Sequence, residues 1–140
     1  METKNIQQTV MLPASPEMVY AALMDETQHA AFTGFAAKID THEGGVFVTC
    51  GERNYGYNLR LIQPDRIVQA WSHKAFPGEH YSVVDIKLKA KGDETELTFC
   101  QFAVPTDCVE WVEEGWQETY WLPLADFLRK QKEKVFTEES

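Results

Sequence analysis

The sequence predicts an α+β fold in which a curved antiparallel sheet of six to seven strands wraps around one long C-terminal helix. Two observations lead to this prediction. Short segments with a period of two, separated by Gly, Pro and Asp turns, precede a single stretch with a period near 3.6. That stretch carries three of the four tryptophans, so its apolar face must pack on the concave side of the sheet. At 140 residues the chain fits one domain, residues 1–140.

The N-terminal region predicts one strand followed by two short helices. Residues 6–12 alternate between apolar and polar side chains, which is typical of a strand. The segment Ser15-Pro16-Glu17 has the capping hydroxyl, early proline and first-turn acid that favour the start of a helix. Residues 25–31 predict a second short helical segment, and residues 35–40 predict another extended piece.

The middle of the chain predicts an antiparallel meander, because turn signals recur between runs rich in Val, Ile, Phe, Tyr and Thr. The predicted strands are residues 46–49, 55–63, 67–73, 82–90 and 94–103. Alternation predicts which side chains face the covered side. In two of these strands they are Val84, Ile86 and Leu88, and Tyr57, Leu59 and Leu61.

The last segment, residues 106–134, predicts the long helix. Its apolar stripe includes Val112, Trp116, Tyr120 and Phe127, and its other face carries Glu110, Glu113, Glu114 and Glu118. Pro123 predicts a bend or a break, because it removes a backbone donor and clashes with the preceding turn. Gly115 is unfavourable within a helix by about 1 kcal/mol, so we expect something to approach the backbone there, a packed strand more readily than a ligand.

Composition and charge narrow the classes of function. Twenty-two acidic and thirteen basic residues give a formal charge of −9, which disfavours nucleic acid and anionic membrane surfaces as partners. No apolar run reaches the roughly 18 residues of a membrane span, and no secretory signal is recognisable, so we expect a cytoplasmic protein. The spacing of the three cysteines and four histidines predicts neither a metal site nor a disulfide framework.

Five blocks of sequence resemble the family homologous to the activator of heat-shock protein 90 ATPase. They span about residues 10–128 and are residues 12–23, 44–47, 56–59, 66–71 and 115–121. The resemblance implies the START-like helix-grip fold, also called birch-pollen-allergen-like. The resemblance is to the C-terminal domain of the co-chaperone. The wider superfamily of this domain includes lipid and hormone binders, polyketide cyclases and aromatases. The co-chaperone also has a separate N-terminal domain that carries much of its chaperone-stimulating activity, and we expect no counterpart of it in these 140 residues. Phe32 stands where many relatives carry Trp.

A cavity between sheet and helix is the candidate site. The residues that periodicity places there are Phe47, Tyr57, Trp71, His73, Phe99, Gln101, Trp116 and Tyr120. Such a cluster is equally consistent with a filled core. Glu52 and His73 are the candidate acid or base groups and Gln101 a candidate orienting amide, but no residue is assigned a catalytic role, and neither a cofactor nor a metal is expected.

Three functions stay open at this stage. The first is a non-enzymatic protein that binds a small apolar or amphipathic ligand. The second is a co-chaperone-like module that contacts a chaperone or another protein through the acidic helix face. The third is a cyclase-like enzyme with an occluded acid or base.

Overall fold

The protein, described for residues 1–139 and for side chains as far as Lys134 by a computed structural model, has one antiparallel sheet and a long C-terminal helix. The strands are β1 (Thr3–Leu12), β2 (Lys38–Ile39), β3 (Val46–Thr49), β4 (Asn54–Ile62), β5 (Arg66–His73), β6 (Ser82–Lys91) and β7 (Glu94–Pro105). The helices are α1 (Pro16–Met24), α2 (Glu26–Thr33), α3 (Val109–Gly115) and α4 (Leu122–Glu139). The seven strands follow the order β1-β7-β6-β5-β4-β3-β2. The predicted fold class is confirmed.

Two polar caps explain where the short helices begin. The Ser15 hydroxyl accepts a hydrogen bond from the Met18 N–H at 3.3 Å, with Pro16 in the first turn, as the sequence predicts. Asp25 follows α1, and its carboxylate accepts from the Gln28 N–H at 2.9 Å at the start of α2. The extended piece predicted for residues 35–40 shortens to the two residues of β2.

The concave face of the sheet is covered by the C-terminal helix. Trp116, Tyr120 and Trp121 are buried there, and the ring centroids of Trp116 and Phe99 lie 4.5 Å apart. The inward direction predicted for Val84, Ile86 and Leu88 is confirmed, since all three are buried. The Trp121 indole donates to the Gln8 side-chain oxygen at 2.7 Å, which ties the helix to the edge strand β1.

The facing predicted for β4 is wrong at Tyr57 and Leu59, which are each 42% exposed. The inner face of this strand instead carries Asn54, Gly56 and Asn58, which are buried. At Gly56 an added Cβ would overlap the Ala70 carbonyl oxygen, so only glycine fits against β5.

The buried side chain of Asn58 finds its hydrogen-bond acceptors in the loop after β2. The Asn58 amide donates to the Asp40 carbonyl oxygen at 2.7 Å, so this buried polar group keeps a hydrogen-bond partner. A bulge between Asn58 and Arg60 then shifts the alternation. Leu61 therefore packs against the core, while Tyr57 points outward and contacts the Tyr81 ring at 6.1 Å.

The centre of the C-terminal helix also differs from the prediction. Residues Trp116–Trp121 form a π-helical segment, and the Leu122 N–H donates to the Gln117 carbonyl five residues earlier. This wide turn lies directly before Pro123, where an ordinary turn would bring the proline ring against the Thr119 carbonyl. The chain thus remains helical through the proline. Nothing lies within 4 Å of a Cβ added at Gly115, so the expected close approach of a strand is wrong.

Candidate functional site

A groove of about 150 Å³ lies between the first turns of the C-terminal helix and the β3–β4 turn. Strand β5 supplies its floor. The lining residues are Cys50, Arg53, Asn54, Trp71, His73, Trp111, Val112, Gly115, Trp116, Thr119 and Tyr120. Because Gly115 has no side chain, the helix backbone is open to the groove at that position.

The β3–β4 turn carries the polar side of the groove. Cys50, Gly51 and Glu52 all have positive φ, at 52°, 63° and 78°. Two of these residues are not glycine, so the turn holds strained backbone of about 1 kcal/mol or more per residue. The Arg53 Nε donates to the Cys50 carbonyl at 3.0 Å, and the guanidinium lies 4.3 Å from the Phe35 ring centroid. These contacts fix the turn and hold Arg53 beside the groove.

His73 and Trp111 form the outer aromatic side. Their ring centroids are 4.7 Å apart in an edge-on arrangement, and Trp111 is 37% exposed. The His73 Nδ1 accepts a hydrogen bond from the Ala75 N–H at 2.9 Å, so in the neutral ring the proton is on Nε2. Burial lowers the pKa of His73, and the nearby charge of Arg53 lowers it further. The imidazole is therefore neutral at physiological pH.

Trp71, Trp116 and Tyr120 form the inner side of the groove, and we call these three residues the aromatic wall. The Trp116 ring centroid lies 5.6 Å from that of Trp71 and 4.5 Å from that of Tyr120. A buried chain of hydrogen bonds holds the wall: the Trp116 indole donates to Gln101 at 2.9 Å, and Gln101 donates to the Ser82 hydroxyl at 2.9 Å. The Ser82 hydroxyl donates to the Trp71 carbonyl at 2.8 Å. This chain fixes the orientation of the Trp116 ring and connects it to the backbone of Trp71.

The wall also separates the groove from a small inner void of about 30 Å³. This void lies between the sheet and the two short helices, and it shares all three wall residues with the groove. His29 lines it, is 4% exposed, and has no hydrogen-bond partner for Nδ1. Burial lowers the pKa of His29 to about 4. A void of this size holds about one water molecule, so it cannot store a ligand.

Among the ionisable side chains that line the groove, all but one are neutral. Burial raises the pKa of the Cys50 thiol and raises that of the Tyr120 phenol well above its usual range, so both keep their protons. The Tyr120 hydroxyl lies 3.5 Å from the Thr49 hydroxyl and 3.6 Å from the Cys50 sulfur. Because the thiol is not activated, the groove favours binding over nucleophilic chemistry. Arg53 is the one formally charged lining residue.

The structure distributes the predicted site residues over several places. Trp71, His73, Trp116 and Tyr120 line the groove, and Phe47 lines the inner void. Phe99 and Gln101 do not line the groove but contact Trp116 from behind. Tyr57 is on the outer face, which contradicts its placement in the cavity. The reason is the inward direction of Asn54 and Gly56 on the same strand.

The acid or base candidate Glu52 lies outside the groove. Its side chain is 77% exposed and its carboxylate is 3.8 Å from the Lys74 ammonium. Sequence reasoning missed seven lining residues, Cys50, Arg53, Asn54, Trp111, Val112, Gly115 and Thr119. Two features of the sequence point to these residues. One is the glycine within an aromatic helix, and the other is the turn Cys50-Gly51-Glu52, which positions Arg53.

Among residues 1–134, whose side chains the structure describes, no group of three or more His, Cys, Asp or Glu side chains is arranged to hold a metal ion. No helix in this range is long and apolar enough to cross a membrane. Cys50, Cys100 and Cys108 are free cysteines.

Most of the chain matches one known protein family. Residues 13–129 match the family described as Activator of Hsp90 ATPase homolog 1-like protein. An uncharacterized protein of Schizosaccharomyces pombe is 25% identical over 122 residues, which are 87% of this chain and 36% of that protein. The chain therefore spans about a third of the length of that relative.

Solved structures share the fold at lower identity. An HSP90 activator from Plasmodium falciparum superposes with a TM-score of 0.78 and 21% identity, over 83% of this chain and 89% of that one. CalU16 from Micromonospora echinospora gives a TM-score of 0.77 and 24% identity, over 97% and 83%. The Aha1 dimer from Colwellia psychrerythraea gives 0.76 and 18%, over 89% and 96%.

Proposed function

This chain belongs to the family of Activator of Hsp90 ATPase homolog 1-like proteins, and from that membership and the groove we propose that it is a non-enzymatic binding protein. Its ligand is a small apolar or amphipathic molecule whose apolar part has about the size of one aromatic ring. The expectations of a cytoplasmic location and of no nucleic-acid partner, both drawn from the sequence, belong to the same proposal.

One observation carries this proposal: the groove is lined by fixed aromatic side chains, yet its helix side is left open at Gly115. A glycine at this position costs helix stability, and nothing packs against it in return. The volume of about 150 Å³ sets the size of the ligand. An apolar cavity of about 150 Å³ in another protein takes up benzene, whereas drug-sized ligands need about 300 Å³ or more.

Benzamide is a suitable probe, because it is a neutral, water-soluble molecule with one ring. Three tryptophans line the groove, so their indole N–H signals in a ¹H–¹⁵N spectrum report directly on occupancy. We expect saturable shifts of the Trp71, Trp111 and Trp116 indole signals, with a dissociation constant in the millimolar range for so small a ligand.

Substitution at Gly115 provides a matched pair of variants. In Gly115→Leu the new side chain fills the groove, so benzamide binding is expected to be lost while the protein stays folded. In Gly115→Ala the side chain is one methyl group, and binding is expected to persist. Absence of saturable shifts in the unmodified protein, or equal binding by the leucine variant, contradicts the proposal.

A second candidate is a co-chaperone-like interaction module. It is favoured by the exposed acidic side chains along the C-terminal helix, which are Glu110, Glu113, Glu114 and Glu118. Such a surface suits a basic partner and gives association that weakens as salt rises. Retention of purified Hsp90 at low salt, lost in a variant with all four glutamates replaced by glutamine, supports this function; no retention at low salt rejects it. Of the two acid or base candidates, Glu52 is exposed outside the groove and His73 lines it, so a cyclase-like activity would depend on His73 alone.

A further inference from the structure

The polar end of the groove carries a positive charge, although the protein as a whole is strongly acidic. Twenty-two acidic and thirteen basic residues give the chain its charge of −9, yet no acidic residue lines the groove, whereas Arg53 does. Among residues 1–134 no carboxylate lies within 4.0 Å of the Arg53 guanidinium, and the neighbouring Glu52 is paired with Lys74 instead. The cation at the groove is therefore available to a ligand.

The position of this cation is fixed without any acidic partner. Its Nε donates to the Cys50 carbonyl at 3.0 Å, and the guanidinium plane is held by the Phe35 ring at 4.3 Å. The terminal nitrogens have no partner among the hydrogen bonds of the described residues. Arginine suits carboxylate groups because its planar guanidinium can donate two parallel hydrogen bonds to them.

The other polar groups of the lining are neutral hydrogen-bond donors, which suits a ligand that has acceptor atoms. His73 is neutral, and its Nδ1 is already occupied by the Ala75 N–H, which leaves Nε2–H as the group it can donate. Cys50 and Tyr120 keep their protons, so they add no negative charge. A carboxylate at this end would meet donors and one positive charge, while the apolar part of the same ligand would meet Trp71, Trp111 and Trp116.

We infer that the ligand of the groove is a small aromatic carboxylic acid, whose ring packs against Trp71, Trp111 and Trp116 and whose carboxylate binds Arg53. This inference rests on the proposed function, since it names the chemical class of the ligand for the same groove. A ring with one carboxylate is also consistent with a volume of about 150 Å³.

Benzoate and benzamide test the inference, because they have nearly the same shape and differ in charge. At pH 7.5 and low salt, we expect the unmodified protein to bind benzoate roughly three- to tenfold more tightly than benzamide, as for a partly exposed charge pair. Raising the salt concentration is expected to reduce this preference. The indole N–H signals provide the readout for both ligands.

Two variants assign the preference to one residue. Arg53→Gln is expected to abolish the preference for benzoate over benzamide, so that the ratio of the two dissociation constants falls to about one. Because the ratio is compared, a change in the β3–β4 turn that affects both ligands alike does not alter the result. Arg60→Gln removes the same charge from an exposed position on β4 outside the groove, and it is expected to keep the preference.

The outcomes separate this inference from the proposed function. If benzamide binds and benzoate binds no better, the groove is a ligand site but the carboxylate class is wrong. A preference that survives Arg53→Gln also overturns the inference, because another group must then supply the charge. If neither molecule binds, the proposed function fails and this inference fails with it.

Discussion

The two sides of the aromatic wall differ in the way their space is used. On the inner side, α2 closes the interior with Phe32 and His29, whose rings lie 5.8 Å and 5.2 Å from the Tyr120 ring. Only about 30 Å³ remains there. On the outer side about 150 Å³ is open between Gly115, Arg53 and Trp111.

The difference separates a filled part of this interior from an open part. The same three rings contribute to both sides, so their burial alone does not identify a binding site. What distinguishes the outer side is the missing side chain at Gly115 and the polar turn before β4. We therefore expect substitutions on the inner side to act on stability and those on the outer side to act on binding.

The largest contrast is expected between Phe32→Ala and Trp111→Ala. Phe32 is 6% exposed and contacts Tyr120 and Phe127, so its removal leaves a cavity and costs about 3–5 kcal/mol of unfolding free energy. Trp111 is 37% exposed, and its removal is expected to cost about 1 kcal/mol. Urea unfolding measures both values. A similar cost for the two variants would show that the outer side is also core.

The next effect in size is an acid sensitivity that comes from the inner side. The pKa of His29 is about 4 in the folded protein and 6.5 when unperturbed, because burial disfavours the charged ring. As pH falls from about 6.5 to about 4, the unfolded chain binds a proton that folded His29 does not. This linkage removes about 3 kcal/mol of stability over that window.

Replacing the histidine isolates this contribution. In His29→Leu the proton-binding group is gone, so the loss of stability between pH 6.5 and 4 is expected to be smaller by about 3 kcal/mol than in the unmodified protein. His42→Gln serves as the control, because the His42 side chain is 85% exposed and its removal should leave the acid sensitivity nearly unchanged. Urea unfolding at several pH values gives the comparison. Parallel pH profiles for His29→Leu and the unmodified protein would contradict the assignment.

A smaller effect is expected where the wall itself is held in place. Gln101→Leu leaves the buried Trp116 indole N–H without an acceptor, which costs about 2 kcal/mol. A double-mutant cycle with Trp116→Phe measures this pairing, because the double variant removes both partners and is expected to cost less than the sum of the two single variants. Additive costs in the cycle would show that the hydrogen bond contributes nothing to the wall.

The sequence predicts the fold much better than the site, and β4 shows the physical reason. Alternation places Tyr57 and Leu59 inside because they are larger and more apolar than Asn54, Gly56 and Asn58. The inner face nevertheless takes the small and polar residues, since β5 approaches closely at Gly56 and the Asn58 amide finds carbonyl acceptors in the loop after β2. Neither contact can be read from a period of two.

The candidate site depends even more on contacts between distant segments. Arg53 reaches the groove because three successive residues adopt positive φ, and two of these are not glycine. The open space at Gly115 depends on the position of the turn before β4 relative to the helix. By contrast, the caps at Ser15 and Asp25 are local, and neighbouring residues are enough to predict the first of them correctly. The single domain of residues 1–140 remains a prediction, and Ser140 lies outside the described residues.

The smallest expected effect tests the difference between the two sides of the aromatic wall most directly. Gly115 has helical φ and ψ of −60° and −41°, and a Cβ added there meets nothing within 4 Å. Gly115→Ala is therefore expected to raise the free energy of unfolding by about 1 kcal/mol, because alanine loses less backbone entropy on folding. Thermal and urea unfolding measure the gain. A loss of stability would mean that a neighbour does approach this position, so that the outer side would be packed like the inner one and the groove would have no space for a ligand.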